Sequence, residues 1–194
     1  LAGARPDRAY LTREEYLAHS VEVLGRLAAR YRGRRGLHAI EVLNEPHGDV
    51  PTDLLKDYYR RANRAIRTHC TSQEAAVVFH DGFRPHREFL GLFQEPGFTN
   101  VLFDVHRYQC FERADIDMDI HGHIRKSAGE WRDEADAIRR DLRLPTWVGE
   151  WSLGLDLKVV SLWAPGPYNH ALEHMDALQE NAAYRAYAAA QLLS

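Results

Sequence analysis

Polar and titratable residues stand at the end of every predicted strand of this chain. Each predicted strand is a short apolar run, and the sequence then changes at once to acidic, amide, imidazole or hydroxyl side chains. The carboxyl ends of parallel strands meet along one rim, where catalytic residues collect. Unpaired buried charge is expensive, so charge at such a rim favours a chemical role. The four groups are Asn44-Glu45-Pro46, His80-Asp81-Gly82-Phe83, Asp104-Val105-His106-Arg107-Tyr108 and Gly149-Glu150-Trp151-Ser152.

Two of these residues, Glu45 and Glu150, suit the cleavage of a glycosidic bond. That reaction passes through an oxocarbenium-like state and uses one protonated carboxyl and one ionised carboxylate. The glutamates follow the first and fourth predicted strands, which would face each other across the mouth of a barrel. We expect their carboxyl groups to stand about 5 Å apart, the separation found in retaining enzymes.

Neighbouring residues fit the same chemistry. The amide of Asn44 could hydrogen-bond a sugar hydroxyl, and His106 with Tyr108 could hold Glu150 ionised and oriented. Asp81 is a further polar candidate at the rim. Aromatic side chains offer sugar rings an apolar face, and the candidates are Phe83, Phe111, Trp151 and Trp163.

Structural roles remain open for each of these residues. Glu45 and Glu150 could be surface glutamates, His106 a buried core histidine, and Asp81 the cap of a turn. A metal site is disfavoured because the histidines and acids at the strand ends lack ligand-motif spacing, so we expect no metal and no cofactor. The pair His121 and His123 does not share one helix face, and we expect both side chains to be solvated.

Strands and helices alternate along the whole sequence, which predicts a parallel sheet with helical crossovers. The strands are nearly continuous apolar runs, as expected when both faces are buried. A (β/α) barrel and an open doubly wound sheet both fit, although no glycine-rich phosphate loop follows a strand. The predicted strands are His38–Leu43, Ala75–His80, Asn100–His106 and Thr146–Trp151; the main predicted helices are 12–32, 51–68, 120–140 and 169–193.

Composition excludes several classes of protein. The formal net charge is −3 with no clustered basic excess beyond four arginines at a predicted helix end, so we expect no nucleic-acid partner. No apolar run approaches the about 20 residues that span a bilayer, so we expect no membrane partner. Two cysteines are too few for a disulfide framework. No hydrophobic signal core stands near Leu1, and the compartment stays open.

Four motifs resemble glycoside hydrolase family 5, most closely its exo-β-1,3-glucanase branch. They are VLNEP (Val42–Pro46), HDGF (His80–Phe83), DVHRYQCF (Asp104–Phe111) and VGEWS (Val148–Ser152), in the family's order along the chain. The resemblance implies an eight-stranded (β/α) barrel, with the strands here corresponding to its fourth to seventh. A complete barrel typically needs about 250 residues. We therefore expect residues 1–194 to form one partial catalytic barrel domain.

The resemblance also implies residue roles. Glu45 would be the acid/base, Glu150 the nucleophile, Asn44 a sugar contact, and His106 with Tyr108 the supports of the nucleophile. Phe111 resembles the aromatic that narrows the substrate entrance, and Arg107 stands where the family often has a second histidine. The implied activity is retaining hydrolysis of a β-glucan or β-glucoside.

Two other functions remain open. The chain could be a half-barrel remnant that binds carbohydrate without turnover, or an unrelated α/β enzyme that uses His80 and Asp81. We also expect the outer strands of the sheet to favour self-association, since open strand edges invite pairing.

Overall fold

The computed structural model describes residues 13–155 and 175–192. Four strands form one sheet in the order β1-β2-β3-β4: β1 Ala39–Glu41, β2 Ala76–His80, β3 Val101–Arg107 and β4 Thr146–Trp151. β1 pairs in parallel with β2, and β2 with β3, as the alternating pattern predicts. All four predicted strands are confirmed, β4 to the residue, and the others within a few residues at their ends.

Helical segments connect the strands. They are α1 Glu14–Tyr31, α2 Thr52–Arg67, α3 Arg113–Ile116, α4 Ile120–Arg125, α5 Arg132–Leu142 and α6 Ala177–Leu192, with short 3₁₀ turns at His86–Phe89 and Leu92–Gln94. A π-helical segment, Lys126–Trp131, joins α4 to α5. The predicted helix over 120–140 is therefore a continuous helical segment with a π-helical turn in its middle. None of the helices in residues 13–155 and 175–192 is long and apolar enough to cross a membrane.

The described chain divides into two compact units. Within the described residues, unit 1 comprises 13–105 and 138–147, and unit 2 comprises 106–137, 148–155 and 175–192. The core of unit 1 lies where helical side chains pack against β2 and β3, and its largest members are aromatic. Phe79 on β2 contacts Tyr59 of α2 at a ring distance of 5.0 Å, and Phe103 on β3 meets Phe89 at 5.5 Å. In unit 2, Ile120, Leu155 and Tyr187 form a smaller core.

Two tyrosines of α2 tie the helix to the carboxyl ends of the strands. The hydroxyl of Tyr58 donates to the carbonyl of Val42, just beyond β1, at 2.9 Å. The neighbouring Tyr59 donates to the carbonyl of His80, the last residue of β2. Both tyrosines are fully buried, and burial together with the nearby charge of Asp81 raises the pKa of Tyr59 well above its usual value. The tyrosines therefore fix, as neutral donors, the strand ends from which the candidate site is built.

Candidate active site

In unit 2, the carboxylate of Glu150 lies against two side chains from the end of β3. The Tyr108 hydroxyl donates a hydrogen bond of 2.7 Å to Oε2 of Glu150. Nδ1 of His106 stands 3.6 Å from the same oxygen, and the His106 side chain is only 1% exposed whereas that of Glu150 is 45% exposed. The arrangement presents an oriented carboxylate oxygen on the accessible side of β4.

The segment that carries Tyr108 is anchored by its neighbour Gln109, which is fully buried. The Gln109 amide nitrogen donates to Ser127 Oγ at 2.7 Å and to the His123 carbonyl at 3.3 Å. Its amide oxygen therefore faces Nδ1 of His123, at 2.7 Å. Because a carbonyl oxygen only accepts, Nδ1 must carry the proton of the His123 ring. The amide thus joins the Tyr108 segment to α4 and to the π-helical turn.

The expectation that His123 is solvated is wrong. The side chain is fully buried, its ring centroid lies 5.9 Å from that of Tyr187, and burial lowers the pKa of His123. The expectation rested on the i, i+2 spacing of His121 and His123, which does not place both side chains on one helix face. The turn after β3 instead folds Gln109 beneath α4, which gives the ring a hydrogen-bond partner inside the protein.

In unit 1, Glu45 follows β1 in a left-handed backbone conformation with φ of 43°. Few non-glycine residues adopt this region, and such strain concentrates at functional sites. Asn44 and Glu45 are both exposed, whereas the following Pro46 is buried. A carboxylate oxygen of Glu45 and a ring nitrogen of His80 lie within 4.8 Å of each other. Glu45 therefore combines an accessible carboxyl with a fixed backbone and an adjacent imidazole.

The loop after β2 is built from local hydrogen bonds. Nδ1 of the buried His80 accepts from the Gly82 amide at 2.8 Å, so the ring proton resides on Nε2 when the imidazole is neutral. Asp81 Oδ1 accepts from the Phe83 amide at 2.8 Å, which is the turn-capping role considered for Asp81. Phe83 has φ of 57°, and its side chain is 60% exposed with its ring edge against His80. The loop thus presents an aromatic surface beside the imidazole.

The remaining aromatic candidates do not share one environment. Phe111 is 59% exposed, and its ring meets that of Tyr108 edge-on at 5.4 Å, so the structure brings these two together. Trp151 instead lines a pocket of about 190 Å³ in unit 2 with Arg107, Trp131, Val148, Gln191 and Leu192. Consecutive residues of a strand point to opposite faces, so Trp151 and Glu150 diverge. Trp163 lies outside the described residues.

The same alternation separates Arg107 from His106. The Arg107 guanidinium forms an ion pair with Glu134 at 2.8 Å and lies over the ring of Trp131. Its side chain is therefore engaged with α5 and the π-helical turn. Arg107, which stands where the resemblance implies a second histidine, therefore packs within unit 2 and points away from the Glu150 carboxylate.

Sequence reasoning missed Gln109 and two arginines. Arg84, after β2, donates to main-chain carbonyls of the loop that begins at Glu45, and Arg67, at the end of α2, donates to carbonyls at the amino ends of β2 and β3. Arginine and glutamine are common on protein surfaces, so their presence in a sequence does not single them out. Only the Gln109 position, directly after Tyr108 in the third motif, offered a local signal.

Comparison with known proteins places this arrangement in a family. The family model for cellulase, glycosyl hydrolase family 5, matches residues 5–190. A glucan 1,3-beta-glucosidase from Pichia angusta is 28% identical over 161 residues, covering 79% of this chain and 35% of that protein. One from Candida oleophila is 33% identical over 149 residues, covering 70% and 32%. The chain therefore spans about a third of the length of these relatives.

Solved structures show the same fold. Cel5A from Thermotoga maritima, determined in complex with cellobiose, covers 94% of this chain and 70% of its own with a TM-score of 0.62 at 14% identity. Endo-glycoceramidase II from Rhodococcus sp., captured as a lactosyl-enzyme intermediate, gives a TM-score of 0.55 at 17% identity over 73% of this chain and 34% of its own. This chain belongs to glycosyl hydrolase family 5, and its four βα units are part of that family's (β/α)₈ barrel. The barrel interpretation of the sequence is confirmed, and the doubly wound alternative is wrong.

Proposed function

We propose that this chain supplies both catalytic carboxylates of a retaining β-glycosidase that acts on a β-glucan or β-glucoside. Glu150 is the nucleophile and Glu45 the acid/base. Membership of family 5 and the similarity to glucan 1,3-beta-glucosidases support the reaction class. The observation that carries the assignment is the hydrogen bond from the Tyr108 hydroxyl to Glu150, because it holds one oxygen of an accessible carboxylate ready to attack.

The two glutamates divide the reaction between them. In the first step the carboxylate of Glu150 attacks the anomeric carbon while the carboxylic acid of Glu45 gives its proton to the departing glycosidic oxygen. In the second step Glu45, now a carboxylate, takes a proton from water, and the water releases the sugar from Glu150 with retained configuration. Asn44 and Phe83 in unit 1 and Phe111 in unit 2 are exposed, and each is proposed to contact sugar.

The experiment is hydrolysis of laminari-oligosaccharides and cello-oligosaccharides, with the configuration of the first product read by proton NMR. Retained β-configuration supports the proposal. Inverted product, or no hydrolysis of either series by the purified protein, contradicts it. Carbohydrate binding without turnover would favour the remnant alternative.

A second proposal concerns self-association. β1 and β4 are the outer strands of the sheet, and most of β4 is exposed, including the side chains of Trp147, Val148 and Trp151. We propose that the purified 194-residue chain associates along β4, since exposed apolar edge strands pair readily. Light scattering tests this: replacing Val148 with lysine should lower the average mass, and an already monomeric chain would refute the idea.

A further inference from the structure

Arg84 lies between the two loops of unit 1 that surround the candidate acid/base. It follows the His80–Phe83 loop, and its side chain extends to the loop after β1. Nη2 donates to the carbonyl of His47 at 2.9 Å, of Gly48 at 3.3 Å and of Val50 at 2.6 Å. Nη1 donates to the Gly82 carbonyl in its own loop at 3.2 Å. One guanidinium thus joins four main-chain oxygens of two loops.

The contact between these loops is too close for a side chain on Gly82. Gly82 has φ of +63°, and an added β-carbon would lie 2.2 Å from Nη1 of Arg84, 3.0 Å from Cγ of Pro46 and 3.1 Å from the Pro46 carbonyl. Pro46 directly follows Glu45 and is buried. The backbone on the carboxyl-terminal side of Glu45 is therefore pressed against Gly82 at Pro46 and hydrogen-bonded to Arg84 from His47 to Val50.

We propose that Arg84 is a positioning residue for Glu45. A guanidinium offers five donors in a rigid plane, so it can hold several carbonyls where a lysine holds fewer. Without it the loop after β1 keeps its Gly82 contact and loses its cross-links. Glu45 stands in a strained left-handed conformation that persists only while its surroundings enforce it. Release of the loop moves the carboxyl away from the leaving oxygen, and misplacement by about 1 Å costs about 10²-fold in rate.

This inference rests on the proposed function, because it assigns Arg84 to the proton-transfer step. The diagnostic property is the leaving group. A glucan hydroxyl leaves only with a proton from the acid, whereas dinitrophenolate leaves without one. Misplacing the acid therefore lowers kcat/KM, which reports the first step, selectively on the glucan, while general loss of structure lowers it equally on both substrates.

The test compares Arg84→Met and Arg84→Lys with Arg67→Met. Arg67 is the matched control because it also donates to several main-chain carbonyls, at the opposite ends of the strands. Each variant is assayed on a laminari-oligosaccharide and on dinitrophenyl β-glucoside, and hydrogen exchange is measured for the amides of residues 45–50. We expect Arg84→Met to lose about 10- to 100-fold in kcat/KM, which reports the first step, on the oligosaccharide and less than about 3-fold on the aryl glucoside. Arg84→Lys should recover part of the loss, and Arg67→Met should leave the ratio of the two rates unchanged.

Faster exchange at residues 45–50 together with the selective loss supports the proposal. Equal losses on both substrates, or unchanged exchange with an unchanged ratio, overturns it. If the parent protein hydrolyses neither substrate, the proposed function fails, and exchange alone then decides the role of Arg84. In that case, faster exchange confined to residues 45–50 would show that Arg84 holds the loop after β1. Unchanged exchange would show that it does not.

Discussion

The two ends of the strands in unit 1 use the same chemistry for different purposes. At the amino ends, Arg67 donates to the carbonyls of Ala75, Thr99 and Asn100, where the chain enters β2 and β3. At the carboxyl ends, Arg84 donates to carbonyls of the loop after β1. The carbonyls that Arg67 contacts belong to residues just before β2 and β3. Those that Arg84 contacts in the loop after β1 belong to residues that follow Glu45 and its strained backbone. A main-chain clamp at the amino ends therefore serves stability, and one at the carboxyl ends also serves a site.

The strongest way to break this comparison is to remove the nucleophile at the carboxyl ends. Glu150→Gln should abolish turnover, with a loss beyond the about 10²- to 10⁴-fold that a general acid contributes, because no covalent intermediate can form. The free energy of unfolding should change by no more than about 0.5 kcal/mol, since the side chain is 45% exposed. Kinetics and urea unfolding measure the two effects. Residual turnover near the parent rate would remove Glu150 from the mechanism.

A somewhat smaller effect is expected for the acid. Glu45→Ala should lose about 10²- to 10⁴-fold in kcat/KM, which reports the first step, on a laminari-oligosaccharide and far less on dinitrophenyl β-glucoside. The physical reason is that dinitrophenolate needs no proton in order to leave. Parallel assays on the two substrates measure the difference, and Glu22→Ala on the exposed face of α1 provides a control. Equal loss on both substrates would show that Glu45 is not the acid.

Removing the hydroxyl that holds the nucleophile should cost less again. Tyr108→Phe deletes the 2.7 Å hydrogen bond to Glu150 but keeps the ring and its contact with Phe111. Hydrogen bonds to charged groups contribute about 1.5–3 kcal/mol, and partial exposure places this one at the lower end, so we expect about a tenfold loss in kcat. Steady-state kinetics measures the loss, with Tyr31→Phe on α1 as the control. An unchanged kcat would assign Tyr108 to packing alone.

The smallest effect on catalysis is expected for a substitution at the amino ends of β2 and β3. Arg67→Met should lower the free energy of unfolding by about 1–3 kcal/mol because it removes the charged donor of several main-chain hydrogen bonds. Activity below the unfolding transition should stay unchanged for both types of leaving group. Urea unfolding against Arg64→Met, an exposed arginine on the same helix, isolates the contribution. A selective loss on the oligosaccharide would show that the two clamps do not differ in the way described here.

Much of the fold could be predicted from the sequence because local patterns determine it. The apolar runs that became β2, β3 and β4 and the helical periodicity of α2 are properties of contiguous residues. The two glutamates are proposed as catalytic because they stand in motifs at strand ends. The side chains that hold the loops were not found, since Arg84 and His47 are 37 residues apart and Gln109 and Ser127 are 18 apart. Such contacts depend on how loops fold over the strand ends, which local periodicity does not encode.

Trp151 shows that a strand can be predicted when the surroundings of its side chains cannot. It follows Glu150, and alternation along β4 directs it toward Arg107 and Trp131. Its contact with sugar stays a prediction. His123 was expected to be solvated, but its ring is buried and hydrogen-bonded to Gln109. In both cases the element was right and the side-chain environment required the tertiary structure.

The central claim is that Glu150 forms a covalent bond to the substrate, and trapping tests it most directly. A fluorinated β-glucoside with a dinitrophenyl leaving group forms the glycosyl-enzyme readily but releases it slowly, because the fluorine at the sugar's second carbon destabilises the oxocarbenium-like state of the second step. Mass spectrometry of the digested protein should then show one fluoroglucosyl group, attached to the peptide that contains Glu150. Attachment to any other residue, or substrate turnover with no adduct, would contradict the account.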